Sequence, residues 1–374
     1  HFMMIAKEVL EVINKLSFEG EFIEAKAHGD GYINDTYACY FKTKDKNVKR
    51  YILQRINQDV FKNPEQLMKN YRAVTDYLKV GIAKRGGDIY RETLTIIPGK
   101  DGKDYVRDSL GNYWRGLIFI EDTISYTVVN GVDDFYKTAL AFGNFQYQLK
   151  DFPAETLYET IPNFHNTVSR YEDFETALKK DLSGRKTLAR EQIDFAITHK
   201  PLASALIDML NNHELPLKVT HNDTKLNNIL MDANTKKGLC IIDLDTIMPG
   251  LVAYDYGDSI RAGACWSAED EKDLDKVYVD LDLFEAYTKG FIEGSNGGLS
   301  ENEIKTLPLG AQVISYELGL RFLTDFLDGD IYFKTSYPMH NLDRCKTQFK
   351  LVADMEEKKE ELNAILKKYM KKNA

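Results

Sequence analysis

Apolar residues recur at helical spacing through 4–16 (MIAKEVLEVINKL), and the pattern then changes to short alternating runs. Three of these, EFIEAKAHG (21–29), INDTYACYFKT (33–43) and KRYILQRIN (49–57), predict strands, the last two joined by a polar KDKN turn. Asn63-Pro64 opens a predicted helix through EQLMKNYRAVTDYLKVG, since proline suits a first turn whose N–H groups have no helical acceptor. Strand patterns return at 90–99, 104–110 and 112–121. Beyond Glu121 the patterns are helical: 132–150, 165–180, 187–213, 275–293, 301–328 and 341–372. One short β island interrupts them, at about 217–247. The pattern predicts an α+β chain with a small antiparallel β-sheet lobe, residues 1–118, and a larger mainly helical lobe, residues 119–374, with a hinge near 117–122.

Composition narrows the class. The chain's 374 residues are too many for one small core and suit two or three domain-sized units. No apolar run approaches the ~20 residues a membrane helix needs, and no signal-peptide pattern opens the chain. His1-Phe2 ahead of Met3 reads as a cloning remnant. A net charge of −9 argues against nucleic acid or an anionic membrane as the main partner. The cysteines (39, 240, 265 and 345) are scattered without metal-type spacing, as free thiols in a reducing compartment would be. The two glycosylation sequons, at Asn34 and Asn222, fall inside the polar loops discussed next, where a glycan would obstruct them. A cytoplasmic location is therefore expected.

The island contains VTHNDTKLNNILM (219–231), a polar run held between apolar flanks, and fifteen residues past Asn228 the apolar strand GLCII ends at Asp243. A carboxylate at a strand end and an Asn amide oxygen form a hard-oxygen pair suited to Mg²⁺. Asp223 can then accept the proton of an incoming hydroxyl, and Lys225 can neutralise a transferring phosphoryl group. His-x-Asp-x-x-x-x-Asn followed by apolar-apolar-Asp is the layout of a kinase catalytic loop. An Asn/Asp-rich turn alone would be the simpler explanation, but the later Asp agrees independently with the functional one. His221 is expected to bond backbone carbonyls rather than substrate, and Asp245 either bridges metal or caps its turn.

Gly29-x-Gly31-x-x-Asn34, between two strand patterns, could aim backbone N–H groups at nucleotide phosphates, with Asn34 and Thr36 adding side-chain donors. Gly-Asp-Gly is also an everyday hairpin turn. In YILQRIN a phosphate-binding cation is sought where a kinase has lysine, and Arg55 supplies it. One residue of register decides between Arg55 and Gln54. Glu65 on the following helix is the expected ion-pair partner of Arg55, and the backbone around Phe119 and Glu121 is expected to bind adenine.

These residues resemble the aminoglycoside/choline kinase-like phosphotransferase family. Within it GYINDTY, LQRIN with KNPEQLM, HNDTKLNNIL, IIDLDTIMPG, YDYGDSIRAG and ELGLRFLTDFLDGDIYF are similar to the bacterial N-acetylhexosamine 1-kinases. The resemblance implies a two-lobed protein-kinase-like fold, with a nucleotide-binding first lobe and the catalytic loop and sugar site in the second. It implies ATP- and Mg²⁺-dependent phosphorylation of the anomeric hydroxyl of N-acetylglucosamine or N-acetylgalactosamine, with Asp223 as base and Asn228 and Asp243 as metal ligands. No Asp-Phe-Gly or Ala-Pro-Glu is present, so a small-molecule acceptor is expected. Arg321, Tyr316 and Trp266 are candidate sugar contacts, while Asp255 and Asp258 are expected to brace the loop. The alternatives are a kinase of the same fold for an aminoglycoside, choline or homoserine-type acceptor, or a non-catalytic nucleotide-binding scaffold.

Overall fold

Alternation in DTYACYFK and VKRYILQR buries one set of side chains and exposes the other, the signature of strands covered on a face. In the computed structural model, which describes residues 7–29 and 35–373, these runs are central strands of a six-stranded sheet. In chain order the elements are α1 (Lys7–Lys15), β1 (Glu21–Ala27), β2 (Asp35–Lys42), β3 (Val48–Arg55), α2 (Pro64–Lys84), β4 (Ile96–Ile97), β5 (Val106–Arg107), β6 (Tyr113–Ile118) and β7 (Thr123–Ile124). There follow α3 (Val132–Gln148), α4 (Thr167–Lys180), α5 (Arg190–Thr198), α6 (Leu202–Asn211), β8 (Lys218–Thr220), β9 (Ile229–Asp232) and β10 (Gly238–Ile241). The chain closes with α7 (Val252–Gly263), α8 (Leu281–Ser295), α9 (Glu301–Lys305), α10 (Leu307–Asp328), α11 (His340–Glu357) and α12 (Lys359–Asn373).

Two units result. The first takes the chain through Ser125, then Thr156–Pro162 and Ile229–Met248. Its sheet is antiparallel in the order β1-β2-β3-β6-β4, with β5 also on β6. Val9, Val12 and Ile13 of α1, with Leu16 just after it, pack with Cys39, Phe41, Tyr51, Leu53 and Trp114 of the sheet. Side chains alternate along a strand, so Gln54 and Arg115 point to the opposite face, where Tyr71 of α2 lies under the Arg115 guanidinium at 4.8 Å. A second small sheet, β10-β9-β7, completes this unit.

The second unit holds Tyr126–Glu155, Asn163–Asn228 and the chain from Pro249. Helix α10 is buried nearly all round, as a central helix must be, and packs with α4, α5 and α11 in one apolar cluster and with α6 and α7 in another. The α7–α10 crossing is close because both helices are small there: a Cβ on Gly257 would meet the Gly310 carbonyl oxygen at 2.4 Å. The fold is of the α+β class expected from the pattern and of the two-lobed kinase-like kind that the resemblance implies.

Several elements are shorter than their patterns suggest. The predicted helix 187–213 is two helices, because Pro201 cannot donate the N–H that a continuous helix would need. The predicted helix 301–328 divides at Thr306, with Pro308 in the first turn of α10. The strand patterns at 90–99 and 104–110 yield only two-residue pairings on β6. No helix among the described residues is long and apolar enough to cross a membrane.

Candidate functional site

In the second unit, three residues of β8 lead straight into the polar run. His221 is fully buried, packed edge-on against Phe142 and Phe145, and its Nδ1 accepts the backbone N–H of Asp223 at 3.1 Å. It thus bonds the backbone, though as an acceptor from an N–H where bonds to carbonyls are expected. Asp255 on α7 accepts the N–H groups of His221 at 2.7 Å and Asn222 at 2.8 Å, while Thr224 bonds Ser259 one turn further along the same helix. Asn222 adopts φ 67°, a left-handed conformation that Asn tolerates better than most residues. Burial pushes the Asp255 carboxyl above its ordinary pKa, opposed by His221 and by the two N–H donors. Asp258 pairs with Arg261 at 2.9 Å instead of reaching the loop.

Three of the predicted residues are brought together here. The Asp223 side chain is 17% exposed, and the largely exposed Lys225 ammonium lies 3.4 Å from its Oδ1. Asn228 donates its Nδ2 to the Asp223 carbonyl at 2.7 Å, which directs Oδ1 as the atom it can offer a cation. The loop therefore carries a reachable carboxylate, an adjacent cation and a fixed amide oxygen.

In the first unit, Asp243 follows β10 in the left-handed region (φ 59°, ψ 66°) and starts the short 3₁₀ turn Leu244–Thr246. Asp245 within that turn is an ion-pair residue: both its oxygens accept from Arg115 of β6, Nη2–Oδ2 at 2.9 Å, and both side chains are almost fully buried. For Asp245, expected either to bridge metal or to cap its turn, the structure shows neither role: both carboxylate oxygens are taken up by Arg115. Gln54 Oε1 accepts from Arg115 Nε at 2.9 Å and Nη2 at 2.7 Å, and Gln54 Nε2 reaches the Thr36 hydroxyl at 3.3 Å. Arg115 escaped the sequence reading, although an arginine inside the apolar run YWRGLIF signals a buried partner elsewhere in the chain.

Arg55 sits on the other face of β3 and pairs with Asp35, directly opposite it in the β2–β3 register. Glu65 accepts instead from the Tyr113 hydroxyl at 3.3 Å. The expected Arg55–Glu65 pair is thus replaced, because strand alternation turns Arg55 away from the face on which Arg115 lies beside α2. Gly29 adopts φ +75°, which glycine reaches without a Cβ clash. Gly31 and Asn34 lie outside the described residues. Past β6, the Phe119 ring stacks under the Arg50 guanidinium at 3.8 Å, and the Glu121 carboxylate pairs with Arg50. The Glu121 carbonyl accepts from Arg91 Nη1 at 2.6 Å.

The candidate acceptor residues separate. Tyr316 is fully buried with its hydroxyl on the Ala196 carbonyl at 2.6 Å, so it belongs to the helical core and is withdrawn from the sugar contacts. Trp266 is 57% exposed, its indole N–H on Asp280 at 3.0 Å. Arg321 lies 5.7 Å from the exposed Tyr332 ring and 5.4 Å from Phe333. Burial, then the nearby Arg170 charge, lowers the Arg321 pKa from its ordinary value. One turn back, buried Glu317 accepts from His165 and Thr167. His165 also packs against Tyr254, next to the loop-bracing Asp255. Asp325 accepts the N–H groups of Tyr332 and Phe333 and so shapes the loop that carries both rings.

Hard oxygens are what this set offers a divalent cation, and no cluster of three or more His, Cys, Asp or Glu suited to a metal occurs among the described residues. Asn228 in the second unit and Asp243 in the first each carry an oxygen of the hard type that Mg²⁺ takes, and Mg²⁺ needs only one or two protein ligands beside phosphate and water.

A family profile described as "Phosphotransferase enzyme family" matches residues 24–289. Among solved structures, the chain is similar to an aminoglycoside phosphotransferase from Alicyclobacillus acidocaldarius subsp. acidocaldarius DSM 446, with a TM-score of 0.55 at 12% identity over 96% of this chain and 94% of that one. A choline kinase from Cryptosporidium parvum Iowa II gives a TM-score of 0.55 at 15% identity, covering 96% of each chain. An amicoumacin kinase solved with AMP-PNP, Ca²⁺ and Ami gives 0.54 at 12% identity over 92% of this chain and 93% of that one. At such identities the likeness is one of fold.

Proposed function

The chain belongs to the phosphotransferase enzyme family, and on that premise we propose that it is an ATP-dependent kinase phosphorylating the anomeric hydroxyl of N-acetylglucosamine or N-acetylgalactosamine. The observation that carries the phosphotransfer is the braced loop: Asp255 fixes the backbone at His221 and Asn222, so Asp223 is presented from a rigid turn with Lys225 beside it. Such rigidity matters because a misplacement of about 1 Å can cost ~100-fold in rate.

In this reading Asp223 accepts a hydrogen bond from the acceptor hydroxyl and takes its proton as the new O–P bond forms. Lys225 balances charge on the transferring group. Asn228 and Asp243 would hold the divalent cation, which when bound neutralises charge on the nucleotide phosphates. Thr36 and the glycine loop at Gly29 would approach the phosphates. The segment Phe119–Glu121 would border the base.

The sugar assignment rests on the motif resemblance and on the surroundings of Arg321. A planar donor beside the exposed Tyr332 ring suits a hydroxylated ring with an apolar face. Arg170 and the Glu317 carboxylate both act on Arg321, a mixed-charge setting that does not favour the ammonium groups of choline or an aminoglycoside. The test is nucleotide consumption with Mg²⁺ across N-acetylglucosamine, N-acetylgalactosamine, glucose, galactose, choline, homoserine and kanamycin. Turnover on the two N-acetyl sugars with a 1-phosphate product is the expected result. Turnover confined to choline, homoserine or kanamycin would keep the kinase and discard the sugar.

A further inference from the structure

The buried Arg115–Asp245 pair takes no part in the chemistry above, yet it is the most completely bonded ion pair at the turn that carries Asp243. We infer that Arg115 is a positioning residue for the metal-binding turn, holding Asp245 so that Asp243 presents its carboxylate in one direction, and tying that turn through Gln54 to Thr36 beside the glycine loop. The inference rests on the assignment of Asp243 as a metal ligand.

The turn needs such a tie. It is three residues of 3₁₀ structure with Asp243 left-handed at its start, and these residues are not themselves part of a strand ladder or a long helix. Two of its carbonyls also accept single, long hydrogen bonds, that of Asp245 from Thr160 and that of Ile247 from Asn70, each 3.4 Å. Arg115, by contrast, stands on β6 with paired strands on both sides, and its planar fork meets both oxygens of Asp245. A bidentate pair fixes direction as well as distance, which an ammonium or an apolar contact would not. Gln54 completes the geometry by accepting from two nitrogens of the same guanidinium, and its own amide donates to Thr36. The chain of contacts therefore runs from the end of the glycine loop to the residue two positions beyond Asp243, all within the first unit.

A buried ion pair can also be purely structural, and the two roles part in their response to an apolar replacement. Exchanging both partners for apolar residues removes the uncompensated-charge problem that single substitutions create, so the double variant Arg115→Met/Asp245→Leu is expected to melt close to the parent. The experiment titrates a fluorescent ATP analogue with and without Mg²⁺, which needs no acceptor. The expected result is a metal-free affinity within about twofold of the parent, with the tightening produced by Mg²⁺ reduced at least tenfold. Arg115→Lys, which keeps the charge but not the fork, is expected to lose at least threefold of that tightening, and it carries the test should the double variant not fold. Unchanged Mg²⁺ tightening in these variants overturns the positioning role. Asp243→Asn is measured alongside: if it loses the tightening and the Arg115 variants do not, only the positioning role fails. If Asp243→Asn keeps it, the metal assignment falls and the inference falls with it.

Discussion

Asp255 accepts two backbone N–H groups of the loop proposed to be catalytic and lies 3.4 Å from the Gln146 amide, so its two oxygens are committed to shaping the loop. Asparagine there would offer one oxygen in place of two and turn an NH₂ group toward a backbone N–H. Asp255→Asn is expected to lower turnover by about 100-fold while leaving the acceptor KM little changed, and to destabilise the fold by about 1–3 kcal/mol, checked by steady-state kinetics and urea unfolding. At this scale the sequence was most informative where spacing is local: Asp223, Lys225 and Asn228 fall within six residues and meet as their spacing suggests. It was least informative for Arg115, whose partner lies 130 residues away. The Arg55 assignment failed to find its partner for a related reason. Charge alone was weighed there, whereas the strand face depends on which neighbours, Leu53 or Gln54, the core takes in.

Helix α7 carries Asp255 and is seated against α10 through glycine, so the site inherits its position from that crossing. A Cβ at Gly257 would fall 2.4 Å from the Gly310 carbonyl oxygen, and one at Gly310 would fall 2.3 Å from that of Ala253. Backbone cannot swing aside as a flexible side chain would. Gly257→Ala is therefore expected to cost about 1–3 kcal/mol of stability and also to lower turnover, since Asp255 lies two residues earlier on the displaced helix. Thermal melting and kinetics on the same preparation check both. Element types were legible from periodicity, and their ends were not: α5 and α6 part around Pro201, and α11 and α12 part at Lys358, breaks that charge patterning does not mark.

Across the whole molecule, unit membership follows long-range side-chain bonds that no local pattern announces. Thr156–Pro162 joins the first unit, where Asn70 of α2 pairs reciprocally with the Tyr158 backbone at 2.8 and 2.9 Å. Ile229–Met248 joins it as well, where Arg115 meets Asp245. The four cysteines report on both cores: all are free, three are buried and Cys265 is half-buried. One fast thiol equivalent is expected from native protein with a disulfide-exchange reagent at pH 8, and four after denaturation. Burial pushes the Cys39 and Cys240 thiols up to about 12. The native state keeps these protons when the unfolded chain has released them, so stability is full below the ordinary thiol pKa of about 8.5 and declines as pH rises from there toward 12. Urea unfolding between pH 7 and 10 tests that sign.

The central claim is that Asp223 performs the transfer and is not needed to bind nucleotide. It is tested most directly by single-turnover phosphorylation with Asp223→Asn, using the acceptor that the parent turns over best, at saturating Mg²⁺-nucleotide. The account predicts that product formation is lost while affinity for the ATP analogue stays within about twofold of the parent, since the change removes a proton acceptor and little else. Product formation at the parental rate would contradict it.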